Sequence, residues 1–537
     1  MKKILNITAI IGWLCFMALQ SVKAQGKVPI IPAPQHVQYL KGNFTLEPQV
    51  GIQISDSSLD RLADYLSETI QQRFDIHLNR DQQAKRRIIL KIDPYIVQQE
   101  AYDLEIKSDH ITISGSTDHG IFNGISSLMQ LCYVDQKRDK SIKLKNVEIQ
   151  DAPRFGWRGF MVDESRHFFG KKKIKQLLDL MALFKLNTFH WHLTDEPGWR
   201  IEIKGYPKLT TIGARGNWSD PDAPDRFYTQ DDIREIVAYA RDRFIKVVPE
   251  IDMPGHASAA NLAYPEFSGG GSKEHPDFTY NPGRASTYQY LTNILREINF
   301  LFPSGYIHIG GDEVHFGNEN WLADPDVKDL MQQHNLQDAH EMEAYFIRRM
   351  ADSVHTMGNK VVGWDELSSD GVDLNNNILM WWRHDKPEIL HKVLKEGYQT
   401  ILCPRIPMYF DFVQHDSHQW GRRWDGFSDL KSVYEFPSKL DVNISDYPNI
   451  MGIQANLWTE TVTTDKRFDF MIWPRLAALA EAAWTRPERK SYASFKKRLP
   501  VLFTTLDTYD IYYFNPLHPK QTPEPAGVNE PHWQEKH

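Results

Sequence analysis

Two adjacent carboxylates, Asp312 and Glu313, follow a short strand-like run and are well placed for chemistry. The residues Tyr306–Ile309 alternate apolar and polar side chains as a strand does, and Gly310–Gly311 end the run. Because glycine has no Cβ, a ligand or another backbone can come close there. A carboxylate pair at such a place can give and take protons, whereas packing explains it poorly. An acidic turn or a helix N-cap is the alternative interpretation.

The composition of the whole chain indicates a soluble protein with a large core. The chain of 537 residues is long enough for two or three domains. Its residues are 41% hydrophobic and 12% aromatic, which fits a large core. The formal net charge is −8 and the isoelectric point is about 6.2. These values give no basic surface for nucleic acid or for an anionic membrane, so neither is expected as a partner.

The first 24 residues have the pattern of a secretion signal peptide. Lysines follow Met1, an apolar run extends over Ile4–Leu19, and Val22–Ala24 has the small-residue pattern of a cleavage site. We therefore expect an exported protein, periplasmic or extracellular. Cys15 offers a lipid-anchor alternative, which the bulky Leu14 before it disfavours. No later segment approaches the roughly 20 apolar residues that a membrane span needs.

Two cysteines remain after such cleavage, Cys132 and Cys403, and they are far apart in the sequence. A disulfide framework is therefore not expected to stabilise the fold. Both are predicted to be buried thiols.

Residues 25–152 are predicted to form a small α+β domain without a catalytic constellation, which indicates a structural companion. The boundary is expected at Asp151–Pro153, because a proline ends the preceding strand there. The predicted strands are Val50–Ile54, Arg87–Ile92, Tyr102–Ile106 and His110–Ser114, and the predicted helices are Leu59–Phe74 and Gly120–Tyr133.

Residues 153–490 show eight strand-like runs with helical segments between them, which predicts a (β/α)₈ TIM barrel. The runs are Trp157–Val162, Thr188–Leu193, Lys246–Ile251, Tyr306–Ile309, Lys360–Trp364, Ile378–Trp382, Thr400–Leu402 and Gly452–Trp458. Helical spacing marks Lys171–Lys185, Asp231–Arg243, Ala285–Phe300 and His340–Met357. The last residues, 491–537, are predicted to form a closing helix and a tail.

The residues that end these runs should share one face of the barrel, where such folds place their active sites. They are rich in carboxylates together with tryptophan, which exceeds what an ordinary polar rim would need. They are Asp163, Glu164, Arg166, His192, Asp195, Glu196, Glu250, Asp252, His256, Asp312, Glu313, Trp364, Asp365, Glu366, Trp382, Arg383, Arg405, Tyr409, Asp411, Trp458 and Glu460.

This combination favours a sugar site, because a carboxylic acid can protonate a glycosidic oxygen and an indole packs on the apolar face of a pyranose. A metal-dependent hydrolase is the first alternative, since imidazoles and a carboxylate could form a metal cluster. Its ligands would be His190, His192, His256, His308 and Asp312. A sugar-binding protein on a barrel is the second alternative, and the presence of Glu313 beside Asp312 argues against it.

Six motifs in order resemble glycoside hydrolase family 20, the β-N-acetylhexosaminidases. They are Arg158–Phe169, Leu186–Asp195, Gly198–Arg200, Val248–His256, His308–Glu313 and Leu457–Glu460. The resemblance covers about residues 153–485, and the preceding α+β domain is similar to the one found before that family's barrel. It implies an enzyme that releases terminal N-acetylhexosamines without a cofactor or a catalytic metal, and it assigns no ligand role to the rim histidines.

The resemblance also implies a mechanism. Adjacent residues on an extended chain point in opposite directions, so Asp312 and Glu313 do not suit the usual pair of carboxyl groups about 5–5.5 Å apart. In the family the 2-acetamido oxygen of the substrate attacks the anomeric carbon, and the configuration is retained. Glu313 is then expected to be the general acid and later the base, and Asp312 to orient the acetamide and stabilise the charge on its nitrogen.

The other site residues are likewise expectations from the resemblance. Arg166 matches the arginine that bonds hydroxyls of the terminal sugar. Trp364, Trp382 and Trp458 match the walls of the acetamide pocket, with Trp381 a rival for Trp382. Tyr409 matches the donor to the acetamide oxygen, Asp411 and Glu460 match carboxylates that bind the outer hydroxyls, and Asp195 and His256 match a relay to Glu313, although a buried structural histidine is an alternative for His256.

The segment Phe412–Pro437 departs from the family pattern, with histidine, tryptophan and arginine crowded together. It is a candidate wall for the leaving sugar or for a substituent on the terminal one, and a solvated loop is the alternative. The expected partners are oligosaccharides or glycoconjugates that end in N-acetylhexosamine. The choice between N-acetylglucosamine and N-acetylgalactosamine, the tolerance of sulfate and the oligomeric state are left open.

Overall fold

The computed structural model describes residues 28–80, 83–134 and 140–528. Contacts between residues group the chain into two units, one up to Ala152 together with Ala493–Val501, and the other Pro153–Tyr492 together with the residues from Leu502 onward. The predicted signal peptide, residues 1–24, lies outside the described residues. The closing helix predicted after residue 490 occurs, but its middle belongs to the first unit by contacts, which the sequence did not indicate.

The first unit contains one six-stranded sheet and two helices. Its strands are β1 (His36–Leu46), β2 (Gly51–Ile54), β3 (Arg87–Ile92), β4 (Tyr102–Ile106), β5 (His110–Gly115) and β6 (Ile142–Asp151), and its helices are α1 (Asp60–Phe74) and α2 (Asp118–Cys132). The strand order is β1-β6-β4-β5-β3-β2, so the unit is α+β as predicted. The strands β1 and β6 were not predicted. In β1 a register shift between Tyr39 and Asn43 interrupts the alternation that would have revealed it.

The second unit is built on a closed parallel barrel of eight strands. They are β7 (Trp157–Asp163), β8 (Thr188–His192), β9 (Lys246–Glu250), β10 (Tyr306–His308), β11 (Lys360–Trp364), β12 (Asn377–Trp381), β13 (Gln399–Leu402) and β14 (Ile450–Leu457). Neighbours in sequence are neighbours in the barrel, and β14 pairs with β7 to close it. All eight predicted runs are confirmed to within two residues, and so is the TIM-barrel fold class.

Helices lie between the barrel strands, as the right-handed βαβ connection requires, and the last three helices follow β14. The helices are α3 (Lys171–Leu183), α4 (Gln230–Arg241), α5 (Ala285–Leu301), α6 (Pro325–His334), α7 (Ala339–Thr356), α8 (Pro387–Glu396), α9 (Leu430–Glu435), α10 (Asp465–Ile472), α11 (Arg475–Trp484) and α12 (Tyr492–Thr508). Local sequence explains several of their starts. Thr229 and Asp232 form a capping box on α4, and Asp338 caps α7 by accepting from the backbone N–H of Glu341.

Shorter elements lie in the loops. Three are helical turns: Lys208–Thr211, Ser258–Ala263 and Arg405–Met408. Two are small antiparallel strand pairs: Thr194–Asp195 with Gly198–Trp199, and Ser268–Gly270 with Thr279–Tyr280. No helix within the described ranges is both long and apolar enough to cross a membrane. Cys132 and Cys403 are free and buried, as predicted, and burial raises the pKa of Cys132 to about 12.

Candidate active site

The acid pair lies at the carboxyl end of β10, where the chain turns sharply. Gly310 has φ +69°, and a Cβ at this position would lie 1.8 Å from Oδ1 of Asp252, so only glycine fits. Glu313 itself has φ +53°, an uncommon conformation for a residue with a side chain and one that is often found at functional sites. The side chain of Asp312 is 12% exposed and that of Glu313 is 33% exposed. The two carboxylates therefore face different surroundings, one buried and one open to the rim.

A chain of charged groups leads away from this pair. His256 Nε2 lies 3.6 Å from both Asp312 Oδ2 and Glu313 Oε2, and His256 Nδ1 hydrogen-bonds Asp195 Oδ1 at 3.1 Å. Asp195 Oδ2 in turn lies 2.6 Å from Arg166 Nη1. Burial alone would lower the pKa of His256, but Asp195 and Asp312 raise it well above its ordinary value. Of the predicted relay residues, His256 lies next to Glu313, and Asp195 contacts His256 on its other ring nitrogen.

The carboxyl group of Asp312 shares its buried surroundings with that of Asp252. Burial, and then the neighbouring Asp252, raises the pKa of Asp312 well above its ordinary value, while His256 opposes the shift. Burial also raises the pKa of Asp252 to about 7, and both of its carboxylate oxygens lack hydrogen-bond partners among the described residues. Asp252 ends the third barrel run in the sequence, yet nothing there indicated that it lies against Asp312.

Beneath the pair, one carboxylate is surrounded by imidazoles and an indole. Glu250 Oε1 accepts from Trp364 Nε1 at 2.9 Å and lies 2.9 Å from His308 Nδ1, and Oε2 lies 3.0 Å from His190 Nε2. His192 Nδ1 also contacts Oε2. Burial would raise the pKa of Glu250, but the three imidazoles lower it well below its ordinary value. The sequence does not indicate that Glu250 is the common partner of these side chains, because the contacts join residues of separate strands.

The histidines considered for a metal do not converge on one point among the described residues. They fall into four groups of three, each with ligand atoms within 4.8 Å of one another: His190, Glu250 and His308; His192, Asp195 and Asp252; Asp195, Glu196 and His256; and Asp252, His256 and Asp312. The single five-residue cluster of the metal alternative is therefore wrong as a geometry. The imidazole rings of His190 and His308 stack at a centroid distance of 4.5 Å, and both contact the Glu250 carboxylate.

The four aromatic residues predicted for the acetamide pocket lie together, and we call them the aromatic group: Trp364, Trp382, Tyr409 and Trp458. Ring centroids are 6.0 Å apart for Trp364 and Trp458, 6.1 Å for Tyr409 and Trp458, and 6.4 Å for Trp382 and Tyr409. The last two rings are nearly parallel, at 15°. Trp381 is 2% exposed and lies outside this cluster, so the geometry favours Trp382 over its neighbour.

Trp382 is held by residues for which sequence analysis proposed no role. Its indole Nε1 donates to Glu366 Oε2 at 3.0 Å, and its backbone N–H donates to Asp365 Oδ2 at 3.1 Å. The guanidinium of Arg405 lies 5.4 Å above its ring. Glu366 and Asp365 both follow β11, so their positions at a strand end were the available signal.

The residues predicted to bind sugar hydroxyls, Arg166, Asp411 and Glu460, also lie together. Arg422 contacts two of them, and we call these four residues the ionic group. Arg422 Nη2 donates to Glu460 Oε1 at 2.8 Å, and Arg422 Nε lies 3.4 Å from Asp411 Oδ2. Arg166 Nε is 4.0 Å from Glu460 Oε1, and its guanidinium lies 5.0 Å from the ring of Trp458. Arg422 comes from the irregular segment after Asp411.

A barrel whose carboxyl-terminal rim combines an acid pair, a cluster of aromatic rings and paired charged side chains has the features of a glycoside hydrolase. Comparison with known families agrees with this class. The description "Glycosyl hydrolase family 20, catalytic domain" matches residues 155–487, and "Glycosyl hydrolase family 20, domain 2" matches residues 27–152. The chain belongs to glycosyl hydrolase family 20.

The chain is similar to several bacterial hexosaminidases. A Beta-hexosaminidase of Porphyromonas gingivalis is 33% identical, covering 96% of this chain and 69% of the relative, and one of Vibrio furnissii is 33% identical, covering 84% and 76%. A solved exo β-N-acetylglucosaminidase of Vibrio harveyi in complex with N-acetylglucosamine has a TM-score of 0.84 at 31% identity, covering 92% of this chain and 80% of that chain. The Bacteroides fragilis β-N-acetylhexosaminidase has a TM-score of 0.79 at 30% identity, covering 91% and 97%.

Proposed function

We propose that this chain is an exo-acting β-N-acetylhexosaminidase that removes terminal non-reducing N-acetylglucosamine from glycans with retention of configuration. The observation that carries the proposal is the difference between the two adjacent carboxylates. The side chain of Asp312 is buried beside Asp252 and His256, whereas that of Glu313 opens to the rim. This difference supports a role of Asp312 towards the acetamide group and a role of Glu313 towards the leaving group.

In the first step the acetamide oxygen of the substrate forms a bond to the anomeric carbon while the bond to the glycosidic oxygen breaks. Glu313 supplies the proton that the leaving oxygen takes, and the sugar becomes a cyclic oxazolinium ion. In the second step the Glu313 carboxylate takes a proton from water, whose oxygen attacks the anomeric carbon and reopens the ring. Both steps invert the configuration, so the product retains it.

Two residues suit the developing charges of this route. The oxazolinium nitrogen is positive, and such a charge beside Asp312 favours the ionised carboxylate in spite of the burial that raises its pKa. Burial raises the pKa of Tyr409 well above its ordinary value, so its hydroxyl keeps its proton and can donate it to the acetamide oxygen.

The test compares three measurements on one enzyme preparation. Aryl N-acetylglucosaminides should be hydrolysed, the matching glucosides without the acetamide should be almost inert, and a thiazoline mimic of the cyclic intermediate should bind far more tightly than substrate. Mass spectrometry of a reaction quenched during turnover should find no sugar attached to an aspartate or glutamate. A covalent glycosyl adduct would overturn the substrate-assisted route, and absence of any hexosaminidase activity would overturn the function.

A panel of glycosides defines the substrate range within this function. It should contain N-acetylglucosaminides and N-acetylgalactosaminides, each with and without sulfate, and oligosaccharides beside the aryl compounds. Hydrolysis only at the non-reducing end is expected, and release of internal fragments would contradict exo action.

We also propose that the protein is exported after cleavage of residues 1–24. The support is the sequence pattern of a basic start, an apolar run and a small-residue site. The protein isolated from its native host should begin after Ala24, as measured by its mass and its amino-terminal sequence. It should be found in a periplasmic or extracellular fraction. An acylated cysteine at position 15 would identify a lipoprotein instead.

A further inference from the structure

The segment that follows Asp411 folds back onto it and is held in place by the backbone. The N–H of Val413 donates to the carbonyl of Arg422 at 2.9 Å, and the N–H of Arg422 donates to the carbonyl of Asp411 at 3.1 Å. Gly421 has φ +111°, and a Cβ there would lie 2.9 Å from the Asp411 carbonyl, so glycine permits the close approach. The position of Arg422 beside the pocket is thus built into the fold.

A buried arginine also holds this folded segment in place. Arg475 is fully buried, and its guanidinium donates to the carbonyls of Phe410 at 2.6 Å, Phe412 at 2.8 Å and Ser428 at 2.8 Å. Three charge-assisted hydrogen bonds to one segment leave it little freedom to move. The backbone on both sides of Asp411 is therefore rigid, and the side chain of Arg422 emerges from a fixed point.

The side chain of Arg422 lies between the two carboxylates that were matched to the outer hydroxyls. Its side chain is 11% exposed, and it donates to Glu460 Oε1 at 2.8 Å while its Nε lies 3.4 Å from Asp411 Oδ2. The second oxygen of Glu460, Oε2, is buried and has no hydrogen-bond partner among the described residues. Arg422 thus saturates one Glu460 oxygen and leaves the other for a ligand hydroxyl.

Electrostatics explains why a cation is needed there. Two buried carboxylates that face the same hydroxyls repel each other, and a guanidinium between them offsets that repulsion and fixes both side chains in one geometry. Fixed acceptors discriminate between hydroxyls that point in different directions, whereas mobile ones adapt to either. The 4-hydroxyl is equatorial in N-acetylglucosamine and axial in N-acetylgalactosamine, so the direction of one hydroxyl separates the two sugars.

We propose that Arg422 is a specificity-determining residue that sets the selectivity for the configuration at carbon 4 of the terminal sugar by holding Asp411 and Glu460 as fixed acceptors. The inference rests on the proposed hexosaminidase function and extends it to a residue of the irregular segment. Arg422 acts through the two carboxylates and is therefore a positioning residue.

The experiment measures kcat/KM of the wild type, Arg422→Met and Arg422→Lys on aryl glycosides of N-acetylglucosamine, N-acetylgalactosamine and 4-deoxy-N-acetylglucosamine. For the preferred epimer we expect Arg422→Met to lower kcat/KM by about 10- to 100-fold, because a hydrogen bond to a charged group is lost. The other epimer and the deoxy sugar should lose much less, so the kcat/KM of the preferred epimer divided by that of either other sugar should fall towards one. Arg422→Lys keeps the charge without the planar fork and should give intermediate ratios.

Arg423→Met is the matched control, because Arg423 is exposed on the same turn and its guanidinium donates to the carbonyl of His418 instead of to the pocket. It should leave both ratios unchanged. An equal loss on all three sugars in Arg422→Met, or a wild-type epimer ratio near one, would overturn the proposal. If Arg422→Met does not fold, the same two ratios in Arg422→Lys decide. Wild-type enzyme without activity on any of these sugars would overturn the proposed function instead.

Discussion

The aromatic group and the ionic group meet at the contact of Trp458 with Arg166, yet they differ in how they are held. The members of the aromatic group contact one another through rings packed 6.0 to 6.4 Å apart, and the indoles of Trp364 and Trp382 donate to carboxylates outside the group. The ionic group consists of side chains with formal charges, at distances of 2.8 to 4.0 Å. Packing tolerates small shifts, whereas hydrogen bonds between charges are directional. Under the proposed function, we therefore expect the aromatic group to set the shape of the pocket and the ionic group to select the direction of the sugar hydroxyls.

Each group is linked to one member of the acid pair. Asp312 contributes, after burial and Cys403, to the raised pKa of Tyr409 in the aromatic group. Glu313 is linked through His256 and Asp195 to Arg166 of the ionic group. Damage to the aromatic group should therefore affect the attack by the acetamide, and damage to the ionic group should affect sugar placement and proton transfer.

The largest effect is expected for Glu313→Gln. With poor leaving groups kcat should fall by about 10²- to 10⁴-fold, because general acid catalysis is lost, and with activated aryl leaving groups the loss should be smaller. The measurement is kcat for a series of leaving groups of different pKa. Equal losses across that series would show that Glu313 does not protonate the leaving oxygen.

Asp312→Asn tests the aromatic side of the comparison. Loss of the carboxylate that stabilises the oxazolinium nitrogen should lower kcat by about 10²- to 10³-fold, as for other strong electrostatic contacts. The dependence on leaving group should stay as in the wild type, unlike that of Glu313→Gln. Binding of a thiazoline inhibitor, measured by calorimetry, should weaken in parallel, and unchanged inhibitor affinity would contradict the assigned role.

Asp252→Asn should change how stability depends on pH. An unfolded aspartate ionises near its ordinary pKa of 3.8, whereas in the folded protein the pKa of Asp252 is about 7. Between these values the folded state holds the extra proton, so the wild type loses stability as pH rises through this window. The Tm of Asp252→Asn relative to that of the wild type should therefore increase from pH 4 to pH 8.

The control for that experiment comes from the ionic group. Asp411→Asn removes a carboxylate that faces Arg422 and should lower Tm, because a buried cation loses part of its compensation. A difference in Tm between Asp252→Asn and the wild type that is independent of pH would show that Asp252 does not titrate in this window.

Trp382→Ala should have a moderate effect that separates the two adjacent indoles. Loss of an aromatic wall should lower kcat/KM by about 2- to 10-fold beyond what simple loss of buried area causes. Trp381→Phe, a change in the core outside the aromatic group, should lower Tm with little change in KM. A larger rise in KM for Trp381→Phe than for Trp382→Ala would reverse the assignment.

The smallest effect is expected for metal removal. The imidazoles of His190 and His308 contact the Glu250 carboxylate, so hydrogen bonding already gives them a structural role. Prolonged chelation followed by assay should leave activity unchanged. Activity lost to the chelator and restored by zinc would revive the metal-dependent alternative.

The sequence was sufficient for the outline of the barrel and for the acid pair. Alternating or continuous apolar runs marked all eight strands, and Lys360–Trp364 was predicted to the residue. Since carboxyl ends of parallel strands share one face, the residues ending the runs could be placed on one rim without a structure. That local logic holds because strand periodicity and chain direction are written in neighbouring residues.

The same logic did not reach the residues whose partners are far away in the sequence. Glu366 supports Trp382 and Arg422 bridges to Glu460, and neither pairing follows from local spacing. The five-residue metal cluster considered as an alternative does not form for a related reason, since side chains at one rim need not converge on one point. The strand β1 was missed because its bulge hides the alternation.

By itself, then, the sequence determined the strand and helix order, the carboxylate-rich rim and the motifs of the family. Those properties depend on periodicity and on residue type, which are local. Tertiary structure decided which carboxylates are buried, and hence the raised pKa values of Asp312 and Asp252. It also decided that Arg422 lies between Asp411 and Glu460. Burial and charge pairing depend on distances across the barrel, and such distances exist only once the chain has closed on itself.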